Sequence, residues 1–385
     1  MKLRSVNIGT LISGDILSPL VEGADSLLVE NGIITRIGGV EKLPADSDTK
    51  TIDAMGTTVA PGLIDSHVHI VFGDWTPRQN TLGWIESYMH GGITSMMSAS
   101  EVHLPGRPTD REGLKALAIT ANHCYANYRP AGVKIHAGSL ILDGSLSVDD
   151  IAEVARKGVW LAKFGFGKFR RNTDGAPLVH KARELGFVVM SHSGGASIPG
   201  SSPITADDLL TLNPTVAGHV NGGTTALPDY DLRRLVHEGD MYFQIAQAGN
   251  IRSAVKVIEY AGESGKFDKV VMASDTPTGT GVIPLATLKT VVEMTTLTGV
   301  SPAQSWAMAT GNNADMLRKN TGRIAVGREA DLVVIDAPSG SAFPNALEAM
   351  KGGDLPGISA VIIDGQVMAG RSRNTPLAGR LSQII

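Results

Sequence analysis

The chain has 385 residues, 42% hydrophobic and 19% charged, an ordinary globular composition long enough for one large barrel and an appendage. Its formal net charge of -4, with no basic block or interleaved aromatics, speaks against nucleic acid as a partner. The one cysteine, Cys124, cannot form an intrachain disulfide, and no apolar run approaches the length of a membrane span.

These features favour a cytoplasmic protein with no membrane contact, and Cys124 is expected to be a small buried hydrophobe. The opening residues, MKLRSVNIGTLISGD, lack the apolar core and small-residue cleavage site of a signal peptide.

In chain order, DSLLVENGIITRIGG predicts two strands joined at Asn31-Gly32, a strong short hairpin signal. The run TTVAPGLIDSHVHI then predicts a strand that ends in His67 and His69. Residues two apart on a strand share a face, so both imidazoles would stand side by side, and imidazole is the commonest protein ligand for a transition metal. Alone, the pair could equally be surface or capping histidines.

Seven further short apolar runs alternate with helical segments: GITSMMSAS, GVKIHAG, GVWLAKFGFG, FVVMSHSGG, TVAGHVNGG, YFQIAQAG and VVMASDTPTG. Eight alternating units predict a (β/α)8 TIM barrel over residues 57–315. Near the end, GRIAVGREADLVVIDAP predicts two strands and ISAVIIDGQVMAG a second hairpin, at Asp364-Gly365. Residues 1–56 and 316–385 are expected to fold together as a small β-sandwich beside the barrel.

Active sites of such barrels lie at the carboxyl ends of the strands. His67 and His69 end the first strand, Lys163 the fourth, His192 the fifth, His219 the sixth and Asp275 the eighth. Four histidines, a lysine and an aspartate at one mouth form a plausible ligand set. Lys163 could instead make a salt bridge, or Lys168 could be the relevant lysine, but Lys168 falls beyond the glycines that end its strand.

With these residues in place, the sequence resembles the amidohydrolase superfamily of metal-dependent hydrolases. The matching pieces are PGLIDSHVH, Lys163 in GVWLAKFG, His192, His219, Ser274-Asp275 and the tail TGNNA…GRIAVGREADLVVID. Within it, SHSGGASIPGSS, HVNGG, TPTGTGVIP and LPGISAVIIDGQ are most similar to the enamidase-like members that open a cyclic enamide lactam.

The resemblance implies that His67, His69 and Asp275 bind the more buried of two divalent ions and His192 and His219 the more exposed one. Lys163 would bridge both as a carbamate, and glutamate can replace it in enamidase-like members. Zinc, iron or manganese would suit these ligands. Asp275 would be the general base for a metal-bound hydroxide attacking a small cyclic amide, and the family leans to homotetramers. His192 is followed by SGGASIPG, without the nearby acid that deaminases of the superfamily use. A dihydroorotase- or hydantoinase-like enzyme, an acyclic amidase and a catalytically silent scaffold are the alternatives.

Substrate contacts are expected at Arg78, whose guanidinium suits a carboxylate, and at Ser193, Gly194 and Gly195, whose N–H groups could meet an anion. His136 ends the third strand and is a further candidate contact. Gly279 and Gly281 are expected to shape the loop behind Asp275. His103, His123, His180 and His237 fall in helical or loop contexts and are expected to be structural or exposed.

Overall fold

The computed structural model describes residues 1–43, 46–70, 83–104, 106–196, 201–223, 225–277 and 281–385. Eight parallel strands carry the barrel: β1 (Leu63–Val68), β2 (Ile93–Ser98), β3 (Lys134–His136), β4 (Leu161–Phe164), β5 (Val188–Ser191), β6 (Val216–Ala217), β7 (Tyr242–Ala246) and β8 (Val270–Ala273). A helix follows each strand, from Trp84–His90 after β1 to Ala286–Thr298 after β8.

Strands β4 to β8 pair in sequence order, and so do β1 to β3. The two sheets join where Asp275 N–H donates to the His67 carbonyl at 2.9 Å and His69 N–H to the Thr276 carbonyl at 3.0 Å. On the other side, the short strand Leu140–Ile141, just after β3, pairs in parallel with β4. The fold is thus the expected (β/α)8 barrel with a β-sandwich beside it.

Two physical patterns produce these elements. Barrel strands are covered on both faces, so β1, β2, β4 and β5 are buried at every position. Some of the helices begin at side-chain caps: Ser147 and Asp150 form a reciprocal capping box ahead of Val148–Arg156, as do Thr205 and Asp208 ahead of Ala206–Leu212.

The sandwich draws on both ends of the chain. One sheet pairs Lys2–Val6 with Ser26–Glu30 and Thr49–Asp53, and Ile384 in turn pairs with Ile52. The other sets Leu332–Asp336 between Thr58–Pro61 and Gly357–Ile363. Leu3, Leu27, Ile34, Val59, Val334 and Ile362 fill the space between them. Both hairpins form at the expected turns. Asn31-Gly32 (φ 51° and 82°) and Asp364-Gly365 (φ 49° and 71°) take the paired positive φ of a two-residue type I′ turn.

Two expected strands differ. TTVAPGLIDSHVHI is not one strand, because Thr58–Pro61 pairs with the sandwich and only Leu63–Val68 enters the barrel. Gly62 lies between them, and its N–H donates to the Asp331 carbonyl as the last rung of the sandwich ladder before the chain turns into the barrel. The residues GRIAVG form turns and bends, and only Leu332–Asp336 of that region is a strand.

A charge cluster locks sandwich to barrel. Lys134 Nζ on β3 lies 2.6 Å from Glu329, 2.7 Å from Asp331 and 2.7 Å from Asp364. Burial would lower this lysine's pKa, but the three carboxylates push it up to about 12. Lys134→Met would leave the Asp331 carboxylate, fully buried, without its cation. Breaking a buried pair this way costs about 3–5 kcal/mol. The variant should therefore show a markedly lower urea midpoint, and an unchanged midpoint would refute a stabilising role for the cluster.

Candidate metal centre

Six side chains converge at the carboxyl ends of the barrel strands. His67 and His69 stand on and just after β1, with ring centroids 5.2 Å apart. Their Nε2 atoms lie 3.2 Å and 2.9 Å from the same oxygen, Oδ1 of Asp275. Lys163 Nζ on β4 is 3.4 Å from His67 Nε2. His192 Nδ1 is 3.1 Å from His219 Nε2, and the His67 and His219 rings are 5.3 Å apart. The expected ligand residues are therefore brought together, and all but Asp275 are buried.

The backbone is bent to achieve this. His219 (φ 34°) and Asp275 (φ 56°) both sit in the left-handed region, which costs free energy for residues other than glycine and clusters at functional sites.

The protonation pattern shows what the cluster can bind. His192 Nε2 is 2.7 Å from the Gly195 carbonyl, which can only accept, so that nitrogen carries the proton and Nδ1 presents a lone pair. His67 Nδ1 likewise faces the Gln244 Oε1 atom at 2.6 Å, leaving a lone pair on Nε2. Burial holds the imidazoles neutral, with His192 at about 3, His219 at about 4 and His67 well below the usual value. Burial alone would raise Asp275, yet His67 and His69 beside it hold its carboxyl far below the ordinary range.

The His67 Nε2 lone pair therefore faces the anionic Asp275 oxygen at 3.2 Å, and the His192 Nδ1 lone pair faces the His219 ring nitrogen at 3.1 Å. Such an arrangement needs cations between the donors, and nitrogen with carboxylate is a donor set for divalent transition metals. The residues present fit the implied metal ions.

Lys163 completes the set unusually. Among the described residues its ammonium has no carboxylate within salt-bridge distance; it meets His67, the Met190 sulfur at 3.2 Å and the Phe166 ring, 5.6 Å to the centroid. Burial lowers its pKa to about 8, which makes the neutral amine far more accessible than on an exposed lysine. Lys168 is not in the cluster; its backbone N–H donates to Asp143 in the loop after β4.

Other expected contacts are corrected. Gly194 and Gly195 do not offer their N–H groups to an anion, because these donate to the Ile204 and Thr225 carbonyls at 2.9 Å and 2.8 Å. Ser193 Oγ donates to the Gly218 carbonyl at 2.6 Å, which leaves the expectation for its backbone N–H untouched. The turn instead orients His192 through the Gly195 carbonyl. Gly194 is required there: its φ is +84°, and a Cβ would fall 1.7 Å from the Thr225 carbonyl oxygen.

His136 does not face the cluster either. It contacts Ser95 Oγ at 3.2 Å and the edge of Trp160, and it lines a cavity of about 280 Å³ with Lys134, Trp160 and Lys319. That cavity includes none of the six cluster residues. Arg78 and Gly279 lie outside the described residues. Gly281 (φ +86°) has open space around its Cβ position. Cys124 is half-buried.

Three residues were missed in the sequence. His103, expected to be structural or exposed, sets its ring at right angles to His69 with centroids 4.3 Å apart. Asp65 accepts from the backbone N–H groups of His67 and Ser274, at 3.3 Å and 2.9 Å, and so braces both ligand segments. Burial raises its pKa to about 6. Gln244 on β7 bonds His67 directly. The available signal was spacing, since Asp65, His67 and His69 alternate along one strand face.

A parallel barrel that gathers imidazoles, one carboxylate and one desolvated lysine at its mouth defines a class. The chain belongs to the amidohydrolase family, whose model matches residues 134–368. The chain is 45% identical over 380 residues to enamidase of Eubacterium barkeri, covering 98% of each chain. An enamidase crystal structure superposes with a TM-score of 0.95 and covers 100% of both chains. Imidazolonepropionase of Salinispora tropica is 26% identical, over 86% of this chain and 92% of the other. N-acetylglucosamine-6-phosphate deacetylase of Pasteurella multocida, 15% identical with a TM-score of 0.62, shares the fold. Among the described residues, no helix is long and apolar enough to cross a membrane.

Proposed function

We propose that this chain is a binuclear metal-dependent hydrolase that opens a C–N bond of a small cyclic amide, in the manner that the name enamidase implies for its 45% identical relative. The observation that carries the metal reading is the meeting of His67 and His69 on one oxygen of Asp275, with Lys163 beside His67 and the His192–His219 pair at the same mouth. The substrate class rests on the near-complete coverage of that relative.

His67, His69 and Asp275 would hold one ion, His192 and His219 the other, and Lys163 would join them. Divalent ions in these positions acidify water toward hydroxide near neutral pH and polarise an amide carbonyl. The neutral Lys163 amine would add through its lone pair to the carbon of carbon dioxide and lose a proton. The product is an N-carboxylate, an anionic oxygen donor that could help hold the ions.

Asp275 would accept the proton of the attacking water on its carboxylate and hand it to the ring nitrogen as the C–N bond breaks. For a cyclic enamide the released nitrogen is an enamine, whose imine tautomer could lose ammonia to water.

Elemental analysis of gently purified protein should find close to two divalent metals per chain, from zinc, iron or manganese. At most one, even after growth with added metal, would refute the binuclear site. The substrate class is tested by offering metal-replete protein oxotetrahydronicotinate lactams, dihydroorotate and hydantoins while following ring opening and ammonia release. Turnover of the enamide lactam is expected. Preference for dihydroorotate or hydantoin would overturn that choice.

A further inference from the structure

We propose that Gln244 is a positioning residue that fixes the tautomer of His67 and ties both halves of the ligand cluster to one side-chain amide. The inference rests on the metal reading for its consequence, but the tautomer is a property of the chain itself.

Gln244 lies on β7, between the strand that ends at His219 and the strand that ends at Asp275, and it is completely buried. Its Oε1 atom is 2.6 Å from His67 Nδ1 and also accepts from the backbone N–H of His219 at 3.3 Å. Its Nε2 atom donates to Ser66 Oγ at 2.9 Å and faces the Ser66 carbonyl at 3.4 Å. Both ends of the amide are therefore engaged.

The amide can face only one way. A backbone N–H is always a donor, so turning the side chain over would set its NH2 group against the His219 N–H. The carbonyl oxygen must face that side. An amide carbonyl cannot donate, so His67 must carry its proton on Nδ1. The Nε2 lone pair is thereby aimed at Lys163 and Asp275.

The same oxygen holds the backbone of His219 at the residue where φ is positive. A ligand of one ion is thus set through its ring and a ligand of the other through its main chain, by one acceptor. Outer partners of this kind orient metal-binding histidines and raise their basicity. The strand pattern explains the placement: Gln244 occupies the inward-facing register of a strand that supplies no ligand.

Histidine-selective ¹⁵N NMR of the full chain tests the tautomer without any metal. The wild type should show His67 protonated on Nδ1, and Gln244→Leu should lose that preference. An Nε2–H tautomer in the wild type would overturn the proposal even if metal binds. Cobalt competition against a chelator tests the consequence. Gln244→Leu should weaken apparent affinity by about 10–100-fold and alter the cobalt visible spectrum, whereas Gln244→Glu, which keeps both acceptor contacts, should stay within about 10-fold of wild type. Wild-type affinity and spectrum in Gln244→Leu would overturn the positioning role. Absence of metal binding by the wild type, with the Nδ1–H tautomer present, would refute the binuclear reading alone. Should Gln244→Leu fail to fold, the wild-type tautomer and the Gln244→Glu affinity still decide.

Discussion

Asp275→Asn is expected to reduce cyclic-amide hydrolysis by at least about 10²-fold, within or above the range a general base contributes. Asparagine keeps the shape and one weak oxygen donor next to His67 and His69, but it cannot take a proton at neutral pH. The loss should fall on kcat, with substrate binding and the ion at His192 and His219 retained. The pH dependence gives a second test. A carboxylate base loses activity as the pH falls and it becomes protonated, so the wild type should decline on the acidic side. The amide has no such transition, and the acidic limb should disappear. If Asp275→Asn keeps most of its activity with that limb intact, another group is the base. His103, against the edge of the His69 ring, would be the next to examine.

Lys163→Ala should abolish metal retention and activity together, a deeper loss than the roughly 10–100-fold effect of removing an outer partner. The reason is local: a 1% exposed lysine next to His67 and a thioether is a poor place for an ammonium and a good one for a carboxylated amine. Short carboxylates such as acetate or propionate should fit the space left by the truncation and restore part of both properties. A metal-loaded crystal with an unmodified Lys163 ammonium would rule out the carbamate. Failure of every carboxylate to rescue a folded variant would argue against a bridging role.

Much of this site was legible because its chemistry is written at strand ends. His67, His69, His192, His219 and Asp275 each follow a short apolar run, so recognising eight runs was enough to put them at one mouth. Lys163 was chosen over Lys168 because the glycines after Phe164 end the strand, and the loop contact of Lys168 agrees with that logic. The Gly194-Gly195 reading failed for a different reason. A glycine pair after a ligand strand advertises free N–H groups, but here the Ile204 and Thr225 carbonyls take them, and neither carbonyl announces itself in the sequence. Gln244 was invisible in practice, since its role depends on a partner 177 residues away, whereas Asp65 shares the spacing of His67 and His69 and only its bond to Ser274 spans 209 residues. His136 ends a strand like the ligands do, yet β3 stops at a level where its ring meets Ser95 and Trp160. Position on the strand, more than residue type, decides which histidines reach the mouth.

The pairing of Thr58–Pro61 with Leu332–Asp336 has a consequence for the order in which the protein is made. Strand Thr58–Pro61 leaves the ribosome about 270 residues before its antiparallel partner, a delay of roughly 15–50 s at ordinary translation rates. Throughout that interval Leu3, Leu27 and Ile34 lack the Leu332–Asp336 and Gly357–Ile363 strands of the sheet that covers them. Closing a loop of that size costs about 5 kcal/mol of chain entropy on simple polymer grounds, so early docking is disfavoured until the barrel has shortened the path between its ends. The barrel thus works as a scaffold in time as well as in space, holding the two halves of the sandwich near each other before they can bind. Slow synthesis or a destabilised barrel would lengthen the exposure of the amino-terminal strands, and aggregation should begin there.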